Sequence, residues 1–366
     1  MTFQLQTASP TDPSSLEARQ SLVFQSQRIR GTCALAIVLI HVTSPPDGTP
    51  VGWLTAAAVL VSNSLARFAV PCFMVLSAFY LSLNPRNERP LPFYRRTLTQ
   101  LAIPYVLYST IYVLYTHRQA AGLPRRWLSA IVTGTAYVHL WFIPVIVMFY
   151  VLHPFLRKWF RRTRRGGRWV VAAFAFQLAW AVATSNINAA SSTTSWFAPA
   201  KVLRAFLCYL GYSLAGYYLH DHAGRLLALT RRLPLVIGAT LAWLTIAVFI
   251  AVARGPDRQF ATFPPVGKAL EPLLCVAAFV VLAVWRSGSP LTRPLERLVD
   301  TCGLYAYGVY YLHMLVLGCF TWTCARFVDS PTLHGLFYLL AFPTVSILSV
   351  LTVKLLARLP FGRYFA

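Results

Sequence analysis

The sequence predicts an all-α, polytopic integral membrane protein of about ten transmembrane helices with both termini in the cytoplasm. Three observations carry that expectation. Of 366 residues, 57% are hydrophobic and 12% are charged, about half the charged share of a soluble domain. The apolar residues gather in stretches of about 20, the length that crosses a hydrocarbon core of roughly 30 Å. Such stretches are helical because lipid offers the backbone no other hydrogen-bond partner. The basic residues, finally, fall in alternate loops.

The expected spans are roughly 30–44, 65–83, 98–116, 139–157, 169–185, 200–219, 234–253, 269–286, 303–324 and 335–357. The stretch 52–64 is also apolar and reads as an interfacial or half-inserted helix before the second span. Residues 1–25 are polar and contain Pro and Ser, the composition of a flexible tail. A single transmembrane domain over 26–360 follows. No short basic start leads into an apolar core and a cleavage site, so the first span serves as its own insertion signal.

Charge sets the orientation. One set of loops collects Arg86, Arg89, Arg95 and Arg96, the run from Arg157 to Arg168, and basic residues around 225–232, 286–297 and 354–363. With Arg19, Arg28 and Arg30 this makes 23 of the 33 basic residues. Positive loops stay inside, so both termini face the cytoplasm and the span count is even. The formal net charge of +23 therefore reports topology. A nucleic-acid interface would gather its basic residues on one soluble face. The seven cysteines show no metal-ligand spacing and no secreted framework; they read as small buried hydrophobes.

Ionisable residues inside a bilayer are costly and mark function by default. Arg30 and His41, in RIRGTCALAIVLIH, are eleven residues apart, about three helical turns, and share a face. At about 1.5 Å per residue, His41 lies roughly 16 Å from Arg30, about halfway through the core. A guanidinium at a cytoplasmic mouth suits phosphate oxygens, and an imidazole at depth suits proton transfer near neutral pH. A cosubstrate with phosphates at one end and a reactive thioester on a long thin arm, acyl-CoA, fits that pair. The alternative is that Arg30 marks topology and His41 makes a helix–helix hydrogen bond. His313, in YGVYYLHML, falls at similar depth in the ninth span, either as a packing residue or as part of one polar site with His41.

Other polar candidates lie toward the ends of spans. His139 and Trp141 open the fourth span at the outer interface, where aromatic residues are expected in any case. His153, further along that span, reads as structural. Asp47 and Glu271 are the scarce outer acids, suited to orient a histidine or hold a sugar hydroxyl. Arg67 and Arg204 lie a turn inside outer ends, where snorkelling explains them as well as ligand binding does.

These segments, in order, resemble the acyltransferase family 3 of integral membrane acyltransferases, and within it bacterial surface and exopolysaccharide O-acetyltransferases of the xanthan type. The resemblance rests on five features across about residues 25–357. They are the Arg30–ten residues–His41 spacing, RFAVPCFMVLSAFYLS, FYRRTLTQLAIPY, HLWFIPVIVMFYVLHP, and the Tyr310-x-x-His313 of the ninth span. Two positions depart from the family pattern. Ala78 stands where a glycine is usual, and Thr97 and Gln100 stand where paired arginines are common, with Arg95 and Arg96 just upstream.

The resemblance implies an O-acetyltransferase in the bacterial inner membrane, serving exopolysaccharide biosynthesis. Cytosolic acetyl-CoA is its donor, a lipid-linked saccharide its acceptor, and no metal is needed. Arg30, Arg95 and Arg96 are then expected to hold the donor's phosphates, with His41 and His313 as the catalytic pair. His139, Trp141 and Glu271 remain for the acceptor. The competing readings are a transporter or flippase for a lipid-linked saccharide, against which no internal repeat is visible, and a membrane scaffold.

Overall fold

Helices account for the regular structure throughout the described residues, because an apolar chain in lipid can satisfy its backbone only along its own axis or in a closed barrel. A computed structural model of the chain describes residues 13–44, 53–117, 122–190, 198–230, 232–254, 265–283, 293–324, 331–360 and 362. In order the helices are α1 (Pro13–Val42), α2 (Trp53–Ala66) and α3 (Ala69–Ser82), then a short 3₁₀ turn (Pro85–Glu88). They continue with α4 (Pro90–His117), α5 (Leu123–Thr133), α6 (Phe142–Arg162), α7 (Gly166–Ala190), α8 (Ala198–Leu207) and α9 (Leu210–Asp221). The remainder are α10 (Ala223–Thr230), α11 (Leu233–Arg254), α12 (Pro265–Ala283), α13 (Arg293–Leu304), α14 (Ala306–Cys324) and α15 (Pro331–Leu356).

The described part of every expected span falls largely on helix, but the helices differ in kind. Among the described residues, six helical runs are by length and composition apolar enough to cross a membrane: Leu54–Ser82, Pro90–Thr116, Phe142–Arg162, Gly166–Ala183, Leu233–Val252 and Leu336–Leu356. The bent pair Arg293–Leu304 and Ala306–Cys324 makes a seventh if counted as one span. The described part of the apolar stretch 52–64 falls on α2, which continues through Arg67 and Phe68 into α3 as one apolar run from Leu54 to Ser82. α1 begins at Pro13, inside the segment expected as a tail. Proline suits a first helical turn, where its missing N–H has no intrahelical partner to lose. Large apolar side chains such as Val252 and Leu339 are more than 70% exposed, as a lipid-facing surface requires.

Contacts sort the chain into two units, one drawn from Thr7–Phe73 with His222–Ala366, the other from Met74–Asp221. In the first, α1 is the hub and packs on α2, α10, α12, α13, α14 and α15. Its tightest contact is with α13. A Cβ on Gly31 would run into the Val299 carbonyl, and one on Gly303 into the Gln27 carbonyl, so the two backbones touch as small residues allow. Arg28 reinforces the contact through Asp300 (3.1 Å) and Glu296 (3.8 Å). α13 then breaks at Tyr305 and turns by 101° into α14.

In the second unit α6 packs on α4, α8 and α9, and α7 lies along α9. α9 carries Gly216, where a Cβ would strike the Val75 carbonyl and the Ala78 methyl. The residue that departs from the family's glycine is thus met by a glycine opposite. α5, which the sequence did not suggest, is tied to α4 by a hydrogen bond from Trp127 Nε1 to Thr110 Oγ1 (2.8 Å).

Candidate functional site

The first unit brings His41 and His313 together. Their ring centroids are 5.2 Å apart, with the planes tilted by 40°. His41 stands in the last turn of α1, which ends at Val42, rather than in the middle of a longer span. His313 lies two turns into α14 and is fully buried. Its Nδ1 is 3.1 Å from the Val309 carbonyl. A carbonyl only accepts, so Nδ1 carries the proton and, in the neutral ring, Nε2 carries the lone pair. A base next to a second imidazole is what this geometry offers chemically.

The end of α1 is unusually polar. The last carbonyls of a helix have no intrahelical donor, and here side chains reach them. Ser44 Oγ donates to the Ile40 carbonyl (2.6 Å), and Thr43 Oγ1 to the Leu39 carbonyl. From α2, Asn63 Nδ2 donates to the Ile40 carbonyl (2.9 Å) and lies 3.1 Å from Thr43 Oγ1 and 3.2 Å from Ser44 Oγ. Asn63 is fully buried. Sequence reasoning passed it over, although an asparagine in an apolar stretch was a signal of the kind it was using.

Arg30 Nη2 donates to the Gly303 carbonyl (2.7 Å) at the break between α13 and α14. The arginine expected to meet phosphates therefore also serves the architecture, by capping a broken helix. Glu271 is half-buried on α12, one turn before Cys275. The Cys275 sulfur lies 3.3 Å from that of Cys72. Asp47 lies outside the described residues.

The remaining candidates belong to the second unit. Arg96 Nη2 donates to Asn87 Oδ1 (2.7 Å), and Asn87 Nδ2 to the Leu81 carbonyl (2.8 Å). Arg96 thus pins the 3₁₀ turn, while Arg95 is exposed. His139 and Trp141 precede α6 in a turn instead of opening the helix. His139 is 2% exposed, with the Tyr112 ring 5.1 Å away edge-on and Tyr137 at 5.9 Å. Trp141 is 37% exposed and leans on Tyr209 at 6.1 Å.

The same unit holds a polar cluster that the sequence did not assemble. Arg157, 4% exposed, makes a two-pronged pair with Asp221 (2.9 and 2.6 Å) and lies 5.6 Å from the centre of the Tyr217 ring. Tyr217 and His153 Nδ1 share a hydrogen bond of 2.9 Å. Burial pushes the Asp221 carboxyl up, but hydrogen bonds and charge from His220 and Arg157 outweigh it and hold it well below the usual carboxylate range. An ionised carboxylate only accepts, so His220 Nδ1–H donates to it (2.8 Å).

Comparison with curated proteins and with solved structures finds no match to this chain. A family model does match: the acyltransferase domain of the acyltransferase 3 family, over residues 27–358. That match runs from just before Arg30 to beyond the last long helix and takes in both His41 and His313. The chain belongs to the acyltransferase 3 family and is a multi-pass membrane acyltransferase.

Proposed function

We infer that this protein moves an acetyl group from cytosolic acetyl-CoA to a sugar hydroxyl of a lipid-linked oligosaccharide or exopolysaccharide, as an O-acetyltransferase of the xanthan type. The observation that carries the reading is the pairing of His41 with His313 at 5.2 Å inside an acyltransferase domain. Transfer to a hydroxyl needs a base to take the hydroxyl proton and return it to the departing thiolate. A neutral imidazole does both near pH 7.

In this reading His41 is the general base and His313 its partner. Arg30, Arg95 and Arg96 meet the donor's phosphates, as guanidinium forks do well. Glu271, His139 and Trp141 contact the acceptor. The ten expected segments form ten crossings of a bacterial inner membrane as a single domain over 26–360, with both termini in the cytoplasm. The distribution of basic residues supports that orientation.

The test is transfer by the purified full chain in lipid nanodiscs, given radiolabelled acetyl-CoA and the lipid-linked saccharides extracted from the expressing cells. Label on the saccharide is the expected result. Saccharide crossing a liposome membrane with no label attached would establish a flippase instead. Cells carrying His41→Ala should make polymer without acetyl groups by proton NMR; unchanged acetylation sinks the assignment.

A further inference from the structure

The second unit is short of anions. From Met74 to Asp221 its only acidic residues are Glu88 and Asp221. Both are taken, Glu88 by Arg161 (3.2 Å) and Asp221 by Arg157 (2.6 Å). At the corner where α6 passes into α7 stand five further basic side chains, Lys158, Arg162, Arg164, Arg165 and Arg168, all exposed. Among the described residues none of these five makes an ion pair. Like charges packed into so short a stretch repel one another. The rule that positive loops stay inside accounts for the sign of the corner, but not for what meets its charge.

The corner has no slack to lift away from a membrane surface. α6 ends at Arg162 and α7 starts at Gly166, and each is apolar enough to cross. The three residues between them reach about 10 Å at full extension, and here they are folded tighter. Thr163 gives both its hydroxyl (2.7 Å) and its N–H (3.1 Å) to the Phe160 carbonyl, and a Cβ on Gly166 would press on the Phe160 ring. Beside the basic rim, exposed Trp159 and Trp169 meet edge to face with centroids 5.2 Å apart. Tryptophan settles at headgroup level. Phe155, one turn back along α6 on the face of Trp159 and Arg162, is exposed, and so is Phe176, two turns along α7 from Trp169. Cations, then indoles, then apolar rings follow the profile of a phospholipid from headgroup to acyl chain.

We propose that the α6–α7 corner is a binding site for an anionic phospholipid. Arg162, Arg164, Arg165 and Arg168 meet the headgroup, whose phosphate oxygens match the guanidinium fork, and Phe155 and Phe176 flank the acyl chains. The uncompensated charge selects a lipid of net negative charge over a zwitterionic one. A soluble polyanion would use the rim and leave the tryptophans and phenylalanines without a partner. The site stands apart from the acyl-transfer reading and uses none of its residues.

The experiment titrates phosphatidylglycerol, and separately phosphatidylcholine, into detergent micelles of the full chain while the melting temperature is followed. Phosphatidylglycerol should raise the melting temperature of wild type more than phosphatidylcholine does, and the excess should shrink in about 0.5 M salt, where surface charge is screened. A corner variant carrying Arg164→Gln, Arg165→Gln and Arg168→Gln should need about 100-fold more phosphatidylglycerol for half the shift, about fivefold for each arginine. A control carrying Arg225→Gln, Arg293→Gln and Arg297→Gln, exposed positions on α10 and α13, loses the same charge and should stay within about threefold of wild type. A rise of less than about tenfold in the corner variant, or one no larger than the control's, overturns the proposal. So does a wild type that phosphatidylcholine or inorganic phosphate stabilises equally well. If coenzyme A shifts wild type but not the corner variant, while phosphatidylglycerol shifts both alike, the corner holds a soluble phosphate and the proposal falls. Should the corner variant fail to fold, hydrogen exchange on wild type decides. Phosphatidylglycerol, and not phosphatidylcholine, should then slow exchange across 158–170, and equal exchange in the two lipids overturns the proposal.

Discussion

The two units use their polar residues differently. In the second, Arg157 is met by a carboxylate at hydrogen-bond distance, with His220 and Tyr217 closing around the pair. In the first, the buried Asn63 amide is shared between Arg67 and the Ile40 carbonyl, and the His41 and His313 rings lie 5.2 Å apart. A guanidinium facing a carboxylate has its field largely cancelled and is good for holding helices together. Paired imidazoles can pass a proton near neutral pH. The proposed function accordingly puts architecture in α6 and α9 and chemistry at the end of α1.

The sharpest way to break this contrast is to remove a histidine from each unit. His41→Ala and His313→Ala should each lower transfer by about 10²–10⁴, the range for loss of a positioned acid–base. The double variant should fall little further than either single one, because residues acting as a unit are not additive. His153→Ala should change transfer only as far as it lowers the melting temperature. A loss at His153 equal to that at His41, with unchanged melting, would move chemistry into the second unit.

Stability should respond in the reverse pattern. Asp221→Asn leaves Arg157 buried without a carboxylate, and thermal melting in detergent should show a loss of about 2–3 kcal/mol, at or below the low end for broken buried pairs because Asp221 is open to solvent. Replacing both partners by leucine should melt closer to wild type than Asp221→Asn does, since an apolar pair leaves no orphaned charge. Gly303→Ala should cost about 1–3 kcal/mol by overpacking α13 against α1; an unchanged melting temperature would show that the two backbones are not in contact.

Acid gives the smallest effect. The Asp221 carboxyl titrates lower in the folded chain than in the unfolded one, so its contribution is complete above the unfolded value of about 3.9. It is lost as pH falls below that toward the folded value. Wild type should therefore lose stability below about pH 4 more steeply than Asp221→Asn. Parallel profiles would contradict the assigned pairing.

Much of the fold was legible because it follows from solvent. Apolar runs in lipid become helices, and the described parts of all ten expected segments are largely helical. The breaks were harder to read. α1 stops just past His41 where Asn63, Thr43 and Ser44 satisfy its carbonyls, and Asn63 lies more than twenty residues further on, in α2. The His41–His313 pair was legible as two costly residues at similar depth. Arg67 was seen, but its meaning depended on whether its guanidinium turned outward or toward Asn63, which spacing does not reveal. Arg96 was expected at the donor's phosphates from its charge just upstream of the family's usual arginines; that its Nη2 also reaches Asn87 depends on the 3₁₀ turn, which spacing does not reveal. Nothing along the chain links Arg157 to Asp221, 64 residues apart; only the packing of α6 on α9 makes them neighbours.

The near-right-angle break between α13 and α14 has a mechanical consequence. α1 carries one histidine, α14 carries the other, and α13 is joined to α14 by the chain and clamped to α1 through Gly31, Gly303 and Arg28. Three members fastened at their corners make a truss. Such a frame resists shear without needing stiff loops, so the gap between the imidazoles is gauged by a corner some two to three turns from either ring.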